Sequence, residues 1–151
     1  MKGNVFFDTN VLVYLFDKSE KKKHAIAGQL FKQSLEKYNP WISIQVINEF
    51  IVIATRKIKN PLSLKEAKKR ISFLADALNM ISNSISTCSK SIALMEKYSY
   101  SYWDSLIIAS ALESNCTVLY TEDMQDGQVI DNKLRIMNPF AAKKTEKSRK
   151  K

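Results

Sequence analysis

The chain has 151 residues, 45% of them hydrophobic and 26% charged, with a net charge of +9 and two cysteines. That is enough chain for one domain with its own hydrophobic core and no disulfide or zinc staples. No apolar run reaches the ~20 residues needed to span a bilayer. The apolar start is interrupted at Asp8 and Asn10, so neither a signal sequence nor a membrane partner is expected, and a cytoplasmic location fits. Cys88 and Cys116 lie far apart with no histidine cluster nearby and read as reduced, packed thiols.

In chain order, Asn4–Phe7 reads as a short buried strand that stops at Asp8-Thr9-Asn10. "EKKKH" at 20–24 reads as a polar helix start, and the spacing of Ile26, Leu30, Phe31 and Leu35 predicts a helix ending before Pro40. A second strand is expected at 41–44, with Ser43 capping a helix that carries Val46, Ile47, Phe50, Ile51 and Ile53. After the break at Pro61, "SLKE" at 63–66 is a capping box opening a helix through Leu64, Ala67, Ile71, Leu74 and Leu78. "NSIS" at 83–86 is read as a strand, followed by helices at 89–98 and 102–114. "CTVLYT" at 116–121 and "KLRIMN" at 133–138 complete the strands. Short apolar strands alternating with helices predict an α/β fold, a mostly parallel sheet in a three-layer α/β/α arrangement. One domain over 1–140 is expected, followed by a basic tail over 141–151. Lys143–Lys151 holds six basic residues and one acid, lacks apolar content and is expected to be disordered. It reads either as a solubilising end or as an attraction for a phosphate backbone.

The residue inventory narrows the chemistry. With His24 as the single histidine, a two-histidine acid–base nuclease is excluded and a Ser-His-Asp triad is not expected. No GxxxxGK[ST] or GxGxxG run is present, which removes the usual nucleotide-cradling folds. Carboxylates remain. Asp8 follows the first strand, Glu49 interrupts the apolar "QVINEFIVI", Asp104 opens "YWDSLIIASAL" and Asp123 follows "TVLYT". In a parallel α/β sheet the carboxyl ends of strands share one edge, where such folds place their sites. Four acids gathered there need a cation, and an all-oxygen set suits Mg²⁺ or Mn²⁺. Such an ion supports phosphodiester hydrolysis. Taken singly, Asp8 also reads as a helix cap, Asp104 as a first-turn acid and Asp123 as a turn residue. Glu49, flanked by Ile47, Phe50 and Ile51, is the hardest to explain that way.

"FFDTNVLVYLFD", "WISIQVINEF", "YWDSLIIASALESNCTVLYTEDMQDG" and "LRIMNPF" resemble, in order, the PIN-domain ribonucleases, and among them the VapC-type toxins of toxin–antitoxin pairs. The resemblance covers about residues 4–140. It implies a flavodoxin-like sheet, Mg²⁺- or Mn²⁺-dependent endoribonuclease activity on RNA, a homodimer and a cognate antitoxin. Asp8, Glu49, Asp104 and Asp123 match the family's catalytic and metal-binding acids. Thr9, Asn10, Ser105 and Thr121 match the supporting positions around them, with Asn10 expected to orient Asp8. Glu122 and Asp126 stand near Asp123 as auxiliary candidates. The tail has no counterpart in the pattern. Two other readings stay open. One is a non-catalytic PIN-like RNA-binding module. The other is a haloacid-dehalogenase-like phosphatase using Asp8 as nucleophile, against which Asn10 stands where a second Asp is needed. The aromatic run Tyr98, Tyr100, Tyr102 and Trp103 is apolar enough to suggest a dimer face or core packing in equal measure.

Overall fold

A computed structural model describes residues 2–141. A six-stranded sheet carries the order β3-β2-β1-β4-β6-β5. The strands are β1 (Asn4–Phe7), β2 (Asn39–Ser43), β3 (Asn79–Ile81), β4 (Cys116–Tyr120), β5 (Val129–Ile130) and β6 (Leu134–Met137). All neighbours pair parallel except β5 with β6. The helices are α1 (Thr9–Phe16), α2 (Lys21–Lys37), α3 (Ile44–Arg56), α4 (Leu64–Ala77), α5 (Ile85–Tyr98) and α6 (Tyr102–Glu113). The basic tail expected over 141–151 lies, after its first residue, outside the described residues.

The layer arrangement follows from connection handedness. The chain steps from β1 to β2 to β3 in one direction, then returns past β1 to β4 on the other side. Right-handed crossovers therefore place α1–α4 on one face and α5–α6 on the opposite face, giving the expected three layers. Phe6, Phe7, Ile42, Leu119 and Ile136 from the strands are fully buried between them. α6 is buried almost all round, from Ser105 to Leu112, because it crosses behind the centre of the sheet. The reversal of strand order between β1 and β4 opens a crevice at their carboxyl ends, which holds Asp8 on one side and Thr121–Asp123 on the other.

Several local expectations hold and several need correction. Ser43 caps α3, accepting from Val46 N, and Ser63 with Glu66 forms the expected capping box. "NSIS" is not a strand: β3 lies earlier, and Ser84 accepts from Thr87 N as the N-cap of an α5 that begins at Ile85. The serine is used for its hydroxyl, which a strand would leave idle. Pro40 does not terminate the preceding helix directly. It sits second in β2, a position near the strand start where a missing N–H is tolerated. On α2 the buried positions are Ala27, Phe31 and Ser34, while Ile26 and Leu35 are exposed. β5 was not expected. It is folded back on β6 by Asp131 and Asn132, both at positive φ, with Lys133 N donating to Ile130 O at 2.9 Å. Asx residues tolerate that left-handed turn.

Candidate active site

Asp8 leaves β1 with extended backbone and caps α1, its Oδ1 accepting from Thr9 N at 2.7 Å. It is 5% exposed, and its Oδ2 accepts from Thr121 Oγ1 at 2.8 Å. The cap reading of Asp8 is thus correct as far as it goes, yet a cap alone does not require such burial. Thr121 Oγ1 also accepts from Asn10 Nδ2 and from Asp123 N, each at 3.1 Å. A hydroxyl has one proton and two lone pairs, so Thr121 is fully used. Asn10 Nδ2 further donates to Asp123 Oδ2 at 3.0 Å, and Asn10 Oδ1 accepts from Glu122 N at 3.3 Å. Asn10 therefore orients Asp123 directly and reaches Asp8 only through Thr121.

Glu49 arrives from the second turn of α3. Its Oε2 accepts from Thr9 Oγ1 at 2.9 Å and its Oε1 from Gln45 Nε2 at 2.7 Å. Gln45 Nε2 also donates to Trp103 O at 3.2 Å, joining α3 to the start of α6. Asp104 stands in the first turn of α6, where its N–H donates to the N-cap Ser101 Oγ at 3.1 Å. Asp8, Glu49, Asp104 and Asp123 line one cavity of about 570 Å³ with Thr9 and Asn10. Asp17 and Glu20, not singled out from the sequence, line it too, as do Lys57 and Lys59. Ser105 is fully buried behind Asp104, and its hydroxyl has no partner among the described residues. Glu122 and Asp126 are not in the cavity wall. Glu122 pairs with Lys23 at 2.8 Å, and Asp126 Oδ1 accepts from Asn138 N at 2.9 Å. His24 Nδ1 is 3.0 Å from Tyr14 O, away from the acids.

The electrostatics are one-sided. Burial, with repulsion from Glu49 and Asp123 added, pushes the Asp8 carboxyl up to about 7 against the hydrogen bonds from Thr121 and Thr9. Burial first, then Asp123 and Glu49, raises Asp104 as well. Among the described residues the ion pairs are Lys23–Glu122 and Lys97–Asp131, so none of the four acids has a cationic partner. No three His, Cys, Asp or Glu side chains there form a ready metal cage. The donor set still fits a hard cation: all oxygens, facing one cavity, with charge unbalanced. A loosely gathered oxygen set of this kind fits an ion that keeps several waters and takes few protein ligands, as Mg²⁺ does.

The PIN domain pattern matches residues 5–125 of the chain. The chain belongs to the PIN-domain family. Among solved structures it is similar to a toxin–antitoxin complex from Klebsiella pneumoniae, at 26% identity and a TM-score of 0.63, covering 89% of this chain and 97% of that one. VapC20 of Mycobacterium tuberculosis, a sarcin-ricin-loop-cleaving toxin, shares the fold at 15% identity and a TM-score of 0.63, over 79% and 89% of the two chains. VapBC2 of Rickettsia felis, bound to a promoter DNA fragment, does so at 18% identity and a TM-score of 0.62, over 89% and 99%. A comparison with curated proteins finds no match. The PIN assignment, the VapC-type resemblance and the mostly parallel α/β sheet read from the motifs are borne out. Among the described residues no helix is long and apolar enough to cross a membrane.

Proposed function

We propose that this PIN domain is a divalent-metal-dependent endoribonuclease, the toxin of a toxin–antitoxin pair. The observation that carries the proposal is the convergence of Asp8, Glu49, Asp104 and Asp123 on one cavity at the carboxyl ends of β1 and β4, with no cation paired to them. Asp8, Asp104 and Asp123 would hold Mg²⁺ or Mn²⁺, with Glu49 beside them. When bound, the ion supplies positive charge against the negative charge that develops at a phosphodiester. The chain's own residues prepare the place. Thr121 fixes Asp8, Asn10 fixes Asp123, and Thr9 with Gln45 fixes Glu49 as an acceptor for a proton from water. Among the described residues Lys57 and Lys59 are the basic residues of the cavity wall, and they would offer phosphate oxygens a contact.

Asn10 weighs against the phosphatase reading, because it is committed to Asp123 and Thr121 where that reading needs an acid. The non-catalytic reading leaves the uncompensated acids without a purpose. A homodimer and an antitoxin partner belong to the same proposal. The expected aromatic face divides: the Tyr98 and Tyr100 hydroxyls bond Asp131 and Gln128 within the chain, while Trp103 stays 63% exposed. Trp103 lines an apolar groove of about 730 Å³ with Ile44, Val52 and Leu106, which a second copy would cover. Sedimentation showing only a 17.3 kDa species at micromolar concentration would remove the dimer.

The function is tested by incubating RNA with the protein in EDTA and then with Mn²⁺, alongside Asp104→Asn. Cleavage is expected with Mn²⁺ alone and only in the wild type. The amide variant should melt in EDTA at an equal or higher temperature, since repulsion is relieved. Metal-independent cleavage, or cleavage retained in Asp104→Asn, would overturn the assignment.

A further inference from the structure

Glu122 and Asp123 are adjacent in sequence and opposite in fate. Asp123 lines the acid cavity; Glu122 is held behind it. The Glu122 Oε1 accepts from the Tyr14 hydroxyl at 2.7 Å, and its Oε2 receives Lys23 Nζ at 2.8 Å. Lys23 Nζ closes the triangle by donating to the Tyr14 oxygen at 3.2 Å. The ammonium also lies 4.8 Å from the Tyr14 ring centre and 5.8 Å from that of Phe140, whose ring meets Tyr14 edge-on at 5.0 Å. Cation–π contacts of this length add to the ion pair. From the front, Asn10 holds Glu122 N and the Asp123 carboxylate. The loop from Thr121 to Asp123 is therefore gripped from two sides, by α1 through Asn10 and by the first turn of α2 through Lys23.

A surface ion pair placed only for stability contributes little. This one neutralises an acid directly beside Asp123. Without Lys23, Glu122 would add repulsion to a cavity already crowded with carboxylates, and its side chain would be free to turn toward any cation there. We propose that Lys23 is a positioning residue for the site: by pinning Glu122 to Tyr14 it keeps Asp123, and not Glu122, presented to the divalent cation. The inference rests on the metallonuclease reading above. Lys23 lies in the "EKKKH" run, whose other lysines, Lys21 and Lys22, are exposed.

The test is calorimetric titration of Mn²⁺ into the full chain, with kcat and KM for RNA cleavage measured in parallel. Variants are Lys23→Met, Lys23→Arg and the double variant Lys23→Met/Glu122→Gln. Melting in EDTA verifies that each is folded at the titration temperature, with Lys23→Gln replacing Lys23→Met if that variant is not. Lys23→Met is expected to shift Mn²⁺ affinity, because a freed Glu122 competes with Asp123 for the ion, and to lower kcat roughly 10-fold or more with a smaller change in KM, the order of effect that loosened support around a metal site has. Lys23→Arg, which can still pair with Glu122, should stay within a few-fold of wild type. The double variant should recover much of the loss, because the stray carboxylate is gone. Unchanged Mn²⁺ affinity and kcat in Lys23→Met would overturn the inference alone, whatever happens to the melting temperature. Wild-type protein that binds no Mn²⁺ would overturn the metal reading and this inference together.

Discussion

Asp8 offers a test whose sign can be worked out in advance. In the metal-free protein its carboxyl is raised from 3.8 to about 7, chiefly by burial. The folded state then binds this proton more tightly than the unfolded state does. The resulting stability is fully present below the unfolded value, declines as pH rises, and is gone above about pH 7. At 1.36 kcal/mol per pKa unit, the ceiling on the change is about 4 kcal/mol. For a chain of this size each kcal/mol moves Tm by about 2–4 °C, so a decline of roughly 8–16 °C between pH 4 and 8 is the upper limit. Asp104 shifts in the same direction and adds to it. Asp8→Asn removes the titration but brings an amide NH₂ against Thr121, whose hydroxyl is already full, or against Thr9 N–H. One such mismatch costs about 1–3 kcal/mol. The variant should therefore melt below wild type at pH 5 and level with or above it at pH 8, both in EDTA. Adding Mn²⁺ should reverse the wild-type trend, since the ion binds the ionised carboxylate. Parallel melting curves for the two proteins across this range would refute the assignment of a strained, uncompensated acid at Asp8.

Three further outcomes are expected. Lys57→Ala/Lys59→Ala should raise KM for RNA with kcat nearly kept, and lower the magnitude of the salt slope of binding by roughly 0.7 per lost phosphate contact; an unchanged slope in a filter-binding titration would leave these lysines as plain surface charge. Thr121→Val should lower the EDTA melting temperature by an amount corresponding to about 1–3 kcal/mol for each buried partner left without it, and Thr121→Ser should restore it; equal melting of the Val variant and wild type would contradict the hydroxyl's role as hub. Deleting Lys143–Lys151 should weaken RNA binding and its salt slope while the EDTA melting temperature holds, and an unchanged affinity would make those residues a solubility feature.

The central acids were legible because each violated a local rule. Glu49 sat in an apolar helix, and Asp8 and Asp123 stopped strands that had no need of a charge. Strand order supplied the rest, since the switch point lies where the carboxyl ends of β1 and β4 meet. Elements with weak periodicity were the ones misread. β3 is three residues long and β5 two, too short for alternation to register. The Asp131-Asn132 turn between β5 and β6 carries neither glycine nor proline to mark it. The helix α2 misleads for another reason: packing buries Ala27 and Phe31, the latter against Phe7 of β1 and Phe73 of α4, leaving Ile26 and Leu35 outward, and hydrophobicity alone does not rank them. Asp17 and Lys57 could not be found by any motif, because each is the C-cap of its helix and lines the cavity only through the way that helix is placed on the sheet.

Residue type therefore says less about these acids than the company each one keeps. Fifteen acidic residues are spread along the chain; of the four that line the cavity, Asp8, Glu49 and Asp123 are held by neutral donors, and none of the four is ion-paired among the described residues. Neutral donors such as Thr9, Asn10, Gln45 and Thr121 fix a carboxylate in space without removing its charge. A lysine does remove it, as at Glu122 and Asp131. A site meant to attract a divalent cation needs the first treatment for its ligands and the second for the acids that would compete with them. The chain applies both within Thr121–Asp123: a hydroxyl hub, a neutralised acid turned back toward α2, and an oriented acid left uncompensated beside Asn10.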